Sequence, residues 1–278
     1  MSVELANAVA KRFIARPDVK AKQYPDGEYK PHRLDQKISE STIPWSRDAV
    51  LEHLAMSATY GHYFLDTDST AKLFAFDIDL ETECRMPDSE GFGHEPPWGT
   101  EEEFREWEAN WPTRNPRYVW RLRNDPARNW LKTQFRAVAG QLANHIHRDI
   151  GVDCAVAYSG HKGIHVYGFT GRLPATDVVD AAQIVLDNMG GWQLQSGRAS
   201  THKHESYPHL AVEVYPKQTE LSGGGFGNLM RLPLGKNLKS PGDPTFFVDL
   251  NAPLTELKPI DPLWALTTGA SNPWSTQS

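Results

Sequence analysis

The chain has 278 residues, a formal net charge of −6 and a pI near 6.0, and 39% of its residues are hydrophobic. This is enough chain for one large domain or two small ones that share a core. No apolar run approaches the roughly 18–20 residues that span a bilayer, and the N-terminus lacks the apolar core of a signal peptide. Two cysteines, Cys84 and Cys154, supply neither a disulfide framework nor a zinc site. We therefore expect a cytoplasmic protein without membrane or zinc. The acidic balance weighs mildly against nucleic acid, although charges lining a cleft can override it.

Helical and strand patterns alternate irregularly along the chain and are separated by long insertions. Leu131, Phe135 and Val138 belong to a buried stripe at helical spacing that continues through Leu142 and Ile146. The patterns predict these elements in chain order: helix 6–15, an extended ordered loop 17–46, helix 48–60 with Ser46 as N-cap, strands 63–65 and 73–78, loop 85–99, a capping-box segment 100–103, helix 126–148, strands 154–158 and 164–169, helix 176–189, strands 210–215 and 246–250, and a polar, frayed tail 267–278. This order predicts an α+β or mixed α/β domain and not a doubly wound sheet.

Asp77 and Asp79 stand two residues apart at the end of the apolar strand 73–78. Because side chains alternate along a strand, both carboxylates point to the same face. Two such groups repel each other unless a cation neutralises them, and Mg²⁺ or Mn²⁺ bound to substrate phosphates is the common partner. A strand end with exposed acids would give the same pattern, so the pair alone does not decide.

The segment 159–165 is more specific, since two predicted strands flank a turn that contains Gly160 and Gly163. The glycines let a ligand approach the backbone, whose N–H groups can bind an anion. Ser159 adds a hydroxyl, Lys162 a point charge and His165 a ring N–H. These groups predict a phosphate-binding turn, against the alternative of a plain hairpin with polar residues.

Glu213 interrupts an apolar strand between two valines, and an acid in such a place needs a partner or a metal. If its face meets Asp77 and Asp79, three acids are available for two metal ions, which act together when they lie roughly 3.5–4 Å apart. The alternative is a surface glutamate on an edge strand.

Basic residues follow Glu213 in the glycine-rich segment 215–237. We expect Arg231, and with it Lys217 and Lys236, to contact phosphate, although Arg231 in an apolar run could instead form a structural ion pair. The glycine cluster 223–227 is not a Walker A loop, because no Gly-Lys-Ser/Thr follows it.

Basic and aromatic residues also alternate over residues 111–136. Arg128, Lys132 and Arg136 form a row at every fourth position, opposite the apolar stripe of the predicted helix, and Trp130 lies among them. Such a combination tracks a nucleic-acid backbone and stacks on bases in single-strand binding, although a solvated helix face explains the row equally well.

Two histidine pairs need separate interpretation. His145 and His147 match the spacing of a nicking endonuclease, but on a helix residues two apart point in different directions. His202 and His204 fall in a predicted loop, where solvent exposure is the simpler reading.

Taken in order, the motifs around Asp77, Asp79, the turn 159–165 and Glu213 resemble those of the archaeo-eukaryotic primase superfamily, in particular the bacterial, phage and plasmid primase–polymerases. The resemblance covers roughly residues 12–250; segments 16–21 and 27–31 are similar to the family's N-terminal region more loosely. The insertion 84–130 has no counterpart in the pattern. Relatives often carry a zinc module, for which this chain has too few cysteines.

The resemblance implies an RRM-like catalytic module packed against an α/β module, with the active site between them, in one catalytic domain spanning 1–278 with an ordered core of about 6–260. It implies a DNA-dependent primase–polymerase in which Asp77, Asp79 and Glu213 bind two Mg²⁺ or Mn²⁺ ions. Nucleoside triphosphates and single-stranded DNA would be the substrates, and a larger replication protein with a helicase the context, in a bacterial or host cytosol. A replication-initiator nicking endonuclease and a non-catalytic single-strand-binding RRM-like module remain as alternatives.

Overall fold

A computed structural model describes residues 2–33, 41–81, 102, 120–121, 126–198, 200–223, 225–240 and 242–267. Its helices are α1 (Val3–Phe13), α2 (Arg47–Leu54), α3 (Pro126–His145, continued by a π-helical turn over Ile146–Ile150), α4 (Ala175–Met189) and α5 (Pro262–Thr267). Its strands are β1 (Ala21–Gln23), β2 (Tyr29–Pro31), β3 (Tyr60–Tyr63), β4 (Thr70–Ala71), β5 (Phe74–Leu80), β6 (Asp153–Tyr158), β7 (Gly163–Phe169), β8 (Leu173–Pro174), β9 (Gln193–Leu194), β10 (Thr201–Lys203), β11 (Leu210–Tyr215), β12 (Leu229–Arg231) and β13 (Phe246–Phe247).

The larger sheet has seven antiparallel strands in the order β13-β6-β7-β5-β11-β10-β9. Its centre runs β5-α3-β6-β7-α4-β11 along the chain, with β6, β7, β5 and β11 side by side. This is the βαββαβ arrangement of an RRM-like module, in which both helices cover one face. Helix α3 contacts β6 and β7, and α4 contacts β5 and β11. The predicted RRM-like module is confirmed.

The apolar stripe of α3 explains why that helix covers the sheet. Leu131, Phe135 and Val138 are fully buried, as are Leu142 and Ile146 one and two turns further on. They belong to one buried core with Phe74, Phe76 and Ile78 of β5, which are also fully buried. Alternation along β5 therefore turns Ala75, Asp77 and Asp79 to the opposite face, away from the helices.

A second module lies on that opposite face. It contains α1, α2 and a four-stranded antiparallel sheet in the order β12-β3-β1-β2. Phe13 at the end of α1 packs edge-on against Tyr167 and Phe169 of β7, and Phe64 stacks on Tyr215 of β11. The two modules thus meet over the face of the seven-stranded sheet that carries the aspartates.

The structure corrects several predicted bounds. Helix α2 is capped by Ser46, as predicted, but it ends at Leu54 instead of residue 60, because residues 60–63 pair with β1 and β12. The predicted loop 17–46 contains the β1–β2 hairpin. Helix α1 begins at Val3, and α5 extends the described fold to residue 267.

Other predictions lie outside the described residues: the loop 85–99, the capping-box segment 100–103 apart from Glu102, the aromatic and basic residues of 111–119, and the tail from residue 268. In the described part of the chain, no helix has both the length and the apolarity needed to cross a membrane.

Candidate active site

Polar side chains line up across the open face of the seven-stranded sheet. Pairing of β5 with its neighbours places Asp77 opposite His165 of β7 on one side and opposite Glu213 of β11 on the other. The row continues to Ala157 of β6 and Thr201 of β10. Residues directly opposite in an antiparallel pair share a face, with Cβ atoms roughly 4.5–5.5 Å apart. An acid is therefore flanked by a histidine and a second acid.

Asp79 occupies the next row on this face, opposite Gly163 of β7 and Ala211 of β11. Gly163 has no side chain, and this absence is required: a Cβ there would lie 2.8 Å from the carbonyl oxygen of Ile78. The small neighbours leave the carboxylate of Asp79 next to the turn 159–163.

Burial and mutual repulsion dominate the electrostatics of this face. Burial raises the pKa of Asp77 to about 6, and the charge of Glu213 adds to the shift. Burial likewise raises the pKa of Asp79 to about 6, with a further contribution from Asp77. For Glu213, burial acts to raise the pKa, but contacts with Lys217, Tyr215 and Thr201 together outweigh it and leave the pKa lowered. A positive charge is what would relieve the two aspartates.

Two lysines supply part of that charge. Lys162 Nζ forms an ion pair with Asp79 Oδ2, and Lys217 Nζ lies 3.0 Å from Glu213 Oε2. Glu213 also accepts hydrogen bonds from Tyr215 Oη and Thr201 Oγ1, at 3.0 and 3.3 Å. Two of the three carboxylates are thus engaged, whereas Asp77 Oδ1 is buried and accepts no hydrogen bond from any described residue.

The turn between β6 and β7 is held from both inside and outside. Ser159 Oγ accepts a hydrogen bond from the N–H of Gly163, at 3.2 Å, which closes the turn. Its backbone carbonyl accepts hydrogen bonds from Arg231 Nη2 and Asn237 Nδ2 of the second module. Gly160, at φ +66°, supplies the left-handed conformation that the turn needs. Ser159 therefore builds the turn with its hydroxyl.

Arg231 bridges the two modules. It is 8% exposed, and while Nη2 contacts the turn, Nη1 is buried without a hydrogen-bond partner among the described residues. Lys236 is half-buried on the same segment, where its backbone carbonyl accepts a hydrogen bond from Thr59 Oγ1. Asn228 Oδ1 accepts a hydrogen bond from the backbone N–H of Lys217, at 2.9 Å, and Asn237 contacts the turn at Ser159. The sequence analysis did not identify these two asparagines, because their partners lie far away in the chain or in a loop.

His165 is 8% exposed, and its two ring nitrogens face different partners. Nδ1 lies 2.9 Å from Tyr167 Oη, and Nε2 lies 3.4 Å from Asp77 Oδ1. Burial lowers the pKa of His165 to about 3, and the charge of Arg231 contributes, so the ring is neutral. Burial also raises the pKa of Tyr167, which keeps its hydroxyl proton. The sequence analysis did not identify Tyr167, because an aromatic residue at this position looks like any other aromatic residue of a strand.

Comparison with known proteins gives the family of this chain. The model of the archaeo-eukaryotic primase domain of TOTE conflict systems matches residues 6–267. The chain belongs to this family. The resemblance drawn from the motifs is thereby confirmed, and membership places the chain among the primase- and polymerase-type nucleotidyltransferases.

A search of curated proteins found no match. Among solved structures, the chain is similar to the polymerase domain of Mycobacterium tuberculosis Ligase D in complex with DNA. Sequence identity is 13%, the match covers 96% of this chain and 85% of that chain, and the TM-score is 0.48.

For this primase domain, the donor set can be tested against the divalent ions that its family implies. Carboxylate oxygens are the ligands that Mg²⁺ and Mn²⁺ prefer, and Asp77 offers a buried oxygen with no hydrogen bond. As the described structure stands, no three His, Cys, Asp or Glu side chains form a group that could hold one ion. The residues fit a divalent ion in ligand type and because they share one face of the sheet, provided that Asp79 and Glu213 are released from their contacts with Lys162 and Lys217.

The predicted DNA-binding row is wrong for two of its members. Trp130 and Arg136 are 1% exposed, and Arg136 donates hydrogen bonds to the backbone carbonyls of Asp249, Leu250 and Ala252. Buried side chains that hold the fold together cannot stack on bases or track a strand. Arg128 lies over the ring of Trp120, 5.3 Å from its centroid, and Lys132 is half-buried next to Asn129.

The two histidine pairs also find their places. His145 Nδ1 contacts Asp149 at 2.8 Å, whereas His147 is exposed. The described contacts therefore do not bring the two histidines together in one site. Residues 201–203 form β10 instead of a loop, and His202 is buried there.

Proposed function

We propose that the chain is a DNA-dependent primase–polymerase that makes primers, or extends them, on single-stranded DNA. It would do so as a single catalytic domain that uses nucleoside triphosphates. The observation that carries the proposal is the row in which Asp77 lies between His165 and Glu213, next to a glycine turn with Lys162. This combination of acids and phosphate-binding groups suits transfer of a nucleotidyl group, in which positioning and charge stabilisation supply most of the catalysis.

Asp77, Asp79 and Glu213 would bind two Mg²⁺ or Mn²⁺ ions. Such ions activate an attacking hydroxyl and stabilise the charge of a leaving pyrophosphate. The protein's contribution would be the spacing of three carboxylates on two strands that are hydrogen-bonded to each other. Strand pairing of this kind keeps donors on one face within the precision that a reacting site needs.

The triphosphate would lie against the turn 159–163 and the end of β12. Lys162, Lys217 and Lys236 offer ammonium groups, and Arg231 offers Nη1, the buried guanidinium nitrogen that has no hydrogen-bond partner among the described residues. Ser159 would act by shaping the turn, since its hydroxyl already closes it. His165 is neutral, so it would donate a hydrogen bond to a phosphate oxygen and would carry no charge.

The template would be single-stranded DNA. Of the residues predicted from sequence, Arg128 and Lys132 remain candidates, because both are partly exposed on the helix that covers the module. A replicative helicase, in the same chain or a separate one, and a cytosolic location complete the proposal. Two features separate this reading from a nicking endonuclease: the paired acids of β5 and β11, and the separation of His145 from His147 by their contacts.

One assay tests the proposal. The protein is incubated with unprimed and with primed single-stranded DNA, each nucleotide set, and Mg²⁺ or Mn²⁺, and the products are sized. We expect metal-dependent products longer than the input. A covalent tyrosyl–DNA adduct would instead support the nicking enzyme, and binding with no incorporation under any condition would support a non-catalytic single-strand binder.

A further inference from the structure

Two lysine side chains lie where cations would be needed. Lys162 Nζ contacts Asp79 Oδ2, and Lys217 Nζ contacts Glu213 Oε2 at 3.0 Å. Each ammonium group takes an oxygen from a different member of the three-acid set. The third member, Asp77, has the buried oxygen that accepts no hydrogen bond from the described residues. The positive charge at this face is therefore provided by the protein itself.

These ion pairs compete with divalent ions for the same oxygens. A carboxylate has two oxygens with about four lone-pair sites between them, and an ammonium group that takes one of these sites also repels an approaching cation. An ion that binds beside Asp79 and Glu213 is therefore favoured when the ammonium groups move away from these carboxylates.

Both lysines can leave without a change of backbone. Lys162 lies in the turn 159–163, whose shape is fixed by Ser159 and Arg231, and the N–H of Lys217 is fixed by Asn228. Their side chains are 21% and 29% exposed, which leaves room for another rotamer. The freed ammonium groups would then lie beside the carboxylates, close to any polyphosphate carried by the bound ions.

We propose that Lys162 and Lys217 occupy the cation positions of the free enzyme and exchange onto the triphosphate when metal ions enter. The inference rests on the proposed function, because it takes Asp77, Asp79 and Glu213 as the metal ligands. Metal and triphosphate then bind with positive coupling, because each binds less well alone. Metal without triphosphate leaves two ammonium groups without an anionic partner. Triphosphate without metal meets ammonium groups that are still paired with Asp79 and Glu213. By thermodynamic linkage, each ligand strengthens the other by the same factor.

The exchange predicts effects of opposite sign on the two ligands. Lys162→Met and Lys217→Met remove a competitor of the metal, so Mn²⁺ alone should bind more tightly. The same variants remove a phosphate contact, so the metal–triphosphate complex should bind more weakly. A merely structural role for either lysine would weaken both.

The experiment measures Mn²⁺ binding by electron paramagnetic resonance, without nucleotide and with a triphosphate whose α–β bridging oxygen is replaced by methylene. In wild type we expect the analogue to tighten Mn²⁺ binding by at least about fivefold. In each lysine variant, Mn²⁺ alone should bind about three- to fivefold more tightly, the range expected for loss of a partly exposed ion pair, and the coupling should shrink.

Lys11→Met is the control, because it removes the same charge from an exposed position on α1 that has no carboxylate partner among the described residues. If it tightens Mn²⁺ binding as much as Lys162→Met does, only long-range charge is at work and the exchange is wrong. Unchanged or weaker Mn²⁺ binding in both lysine variants would also refute it. If Mn²⁺ binds wild type but Asp77→Asn leaves that binding unchanged, the metal ligands of the proposed function are wrong, which is a separate result.

Discussion

Glu213 and Asp77 lie directly opposite each other in the adjacent strands β11 and β5, although 136 positions separate them in the chain. The charge of Glu213 is the second cause, after burial, of the raised pKa of Asp77. Two acids held this close by backbone hydrogen bonds are stable together only with compensating charge nearby, which here comes from lysines and, in the proposed function, from divalent ions.

Glu213→Gln tests this pairing. The substitution keeps the size of the side chain and its hydrogen bond from Tyr215, so the free energy of unfolding should change by less than about 1 kcal/mol. Nucleotide incorporation should fall by about 100-fold or more, because a metal ligand is lost. Melting temperature and single-turnover rates check the two parts. Glu220→Gln, a change of the same kind in the loop after β11, should leave the rate within about twofold; equal losses in both variants would contradict the assignment.

Tyr167→Phe tests how His165 is oriented. Tyr167 is fully buried, and the only acceptor that the described structure gives its hydroxyl proton is His165 Nδ1, at 2.9 Å. That hydrogen bond leaves the imidazole proton on Nε2, the nitrogen facing Asp77. Nitrogen-15 chemical shifts should show the Nε2–H tautomer in wild type and a tautomer mixture in Tyr167→Phe, with a raised KM for nucleotide. An Nδ1–H tautomer in wild type would contradict this account.

His209 should make the protein sensitive to acid. It is fully buried against Trp130, neither ring nitrogen has a hydrogen-bond partner among the described residues, and burial lowers its pKa to about 3. A histidine whose pKa is lower in the folded than in the unfolded state makes its full contribution to the free energy of unfolding above its unfolded pKa of about 6.5. This contribution is lost as the pH falls toward 3. Between pH 7.5 and pH 5 the loss is about 2 kcal/mol.

The comparison with His209→Phe isolates this contribution, because the raised pKa values of Asp77 and Asp79 act in the opposite direction in both proteins. Urea unfolding should show the variant gaining about 2 kcal/mol relative to wild type when the pH is lowered from 7.5 to 5. A pH-independent difference between the two proteins would mean that His209 is not held neutral by burial.

Gly163→Ala tests the close approach of β7 to β5. A Cβ at this position would lie 2.8 Å from the carbonyl oxygen of Ile78, so the strands must separate beside Asp79. We expect a loss of about 1–3 kcal/mol in the free energy of unfolding, together with weaker Mn²⁺ binding. Gly140→Ala is the control: it lies inside α3 with open space around it, and should stabilise by about 0.5–1 kcal/mol. Chemical denaturation of both variants measures the contrast.

The active-site face could be predicted from sequence because its signals are local. Alternation along β5 places Asp77 and Asp79 on the same face, and the glycines of the turn 159–163 predict that another group approaches the backbone closely. The pairing of β5 with β11 is not local, so the position of Glu213 rested on the family resemblance until the strand register was known.

The failures come from contacts between distant segments. Arg128, Lys132 and Arg136 follow one another at every fourth position of α3, which resembles a solvated face. Residues 249–252 nevertheless cover Arg136 with carbonyl oxygens from more than 110 positions away. Similarly, Tyr60 continues a helical pattern, and only its pairing partners in β1 and the adjacent β12 make residues 60–63 a strand. Tertiary hydrogen bonds override local propensity at both places.

The central claim is that the carboxylates of β5 catalyse nucleotidyl transfer, and primer extension on a single-stranded template tests it most directly. Wild type, Asp77→Ala, Asp79→Ala and Asp180→Ala are compared with Mn²⁺ and nucleotides; Asp180 is an exposed acid on α4, the helix behind the sheet. We predict extension by wild type and Asp180→Ala, and a loss of about 100-fold or more in the two β5 variants. Wild-type rates in both Asp77→Ala and Asp79→Ala would contradict the account.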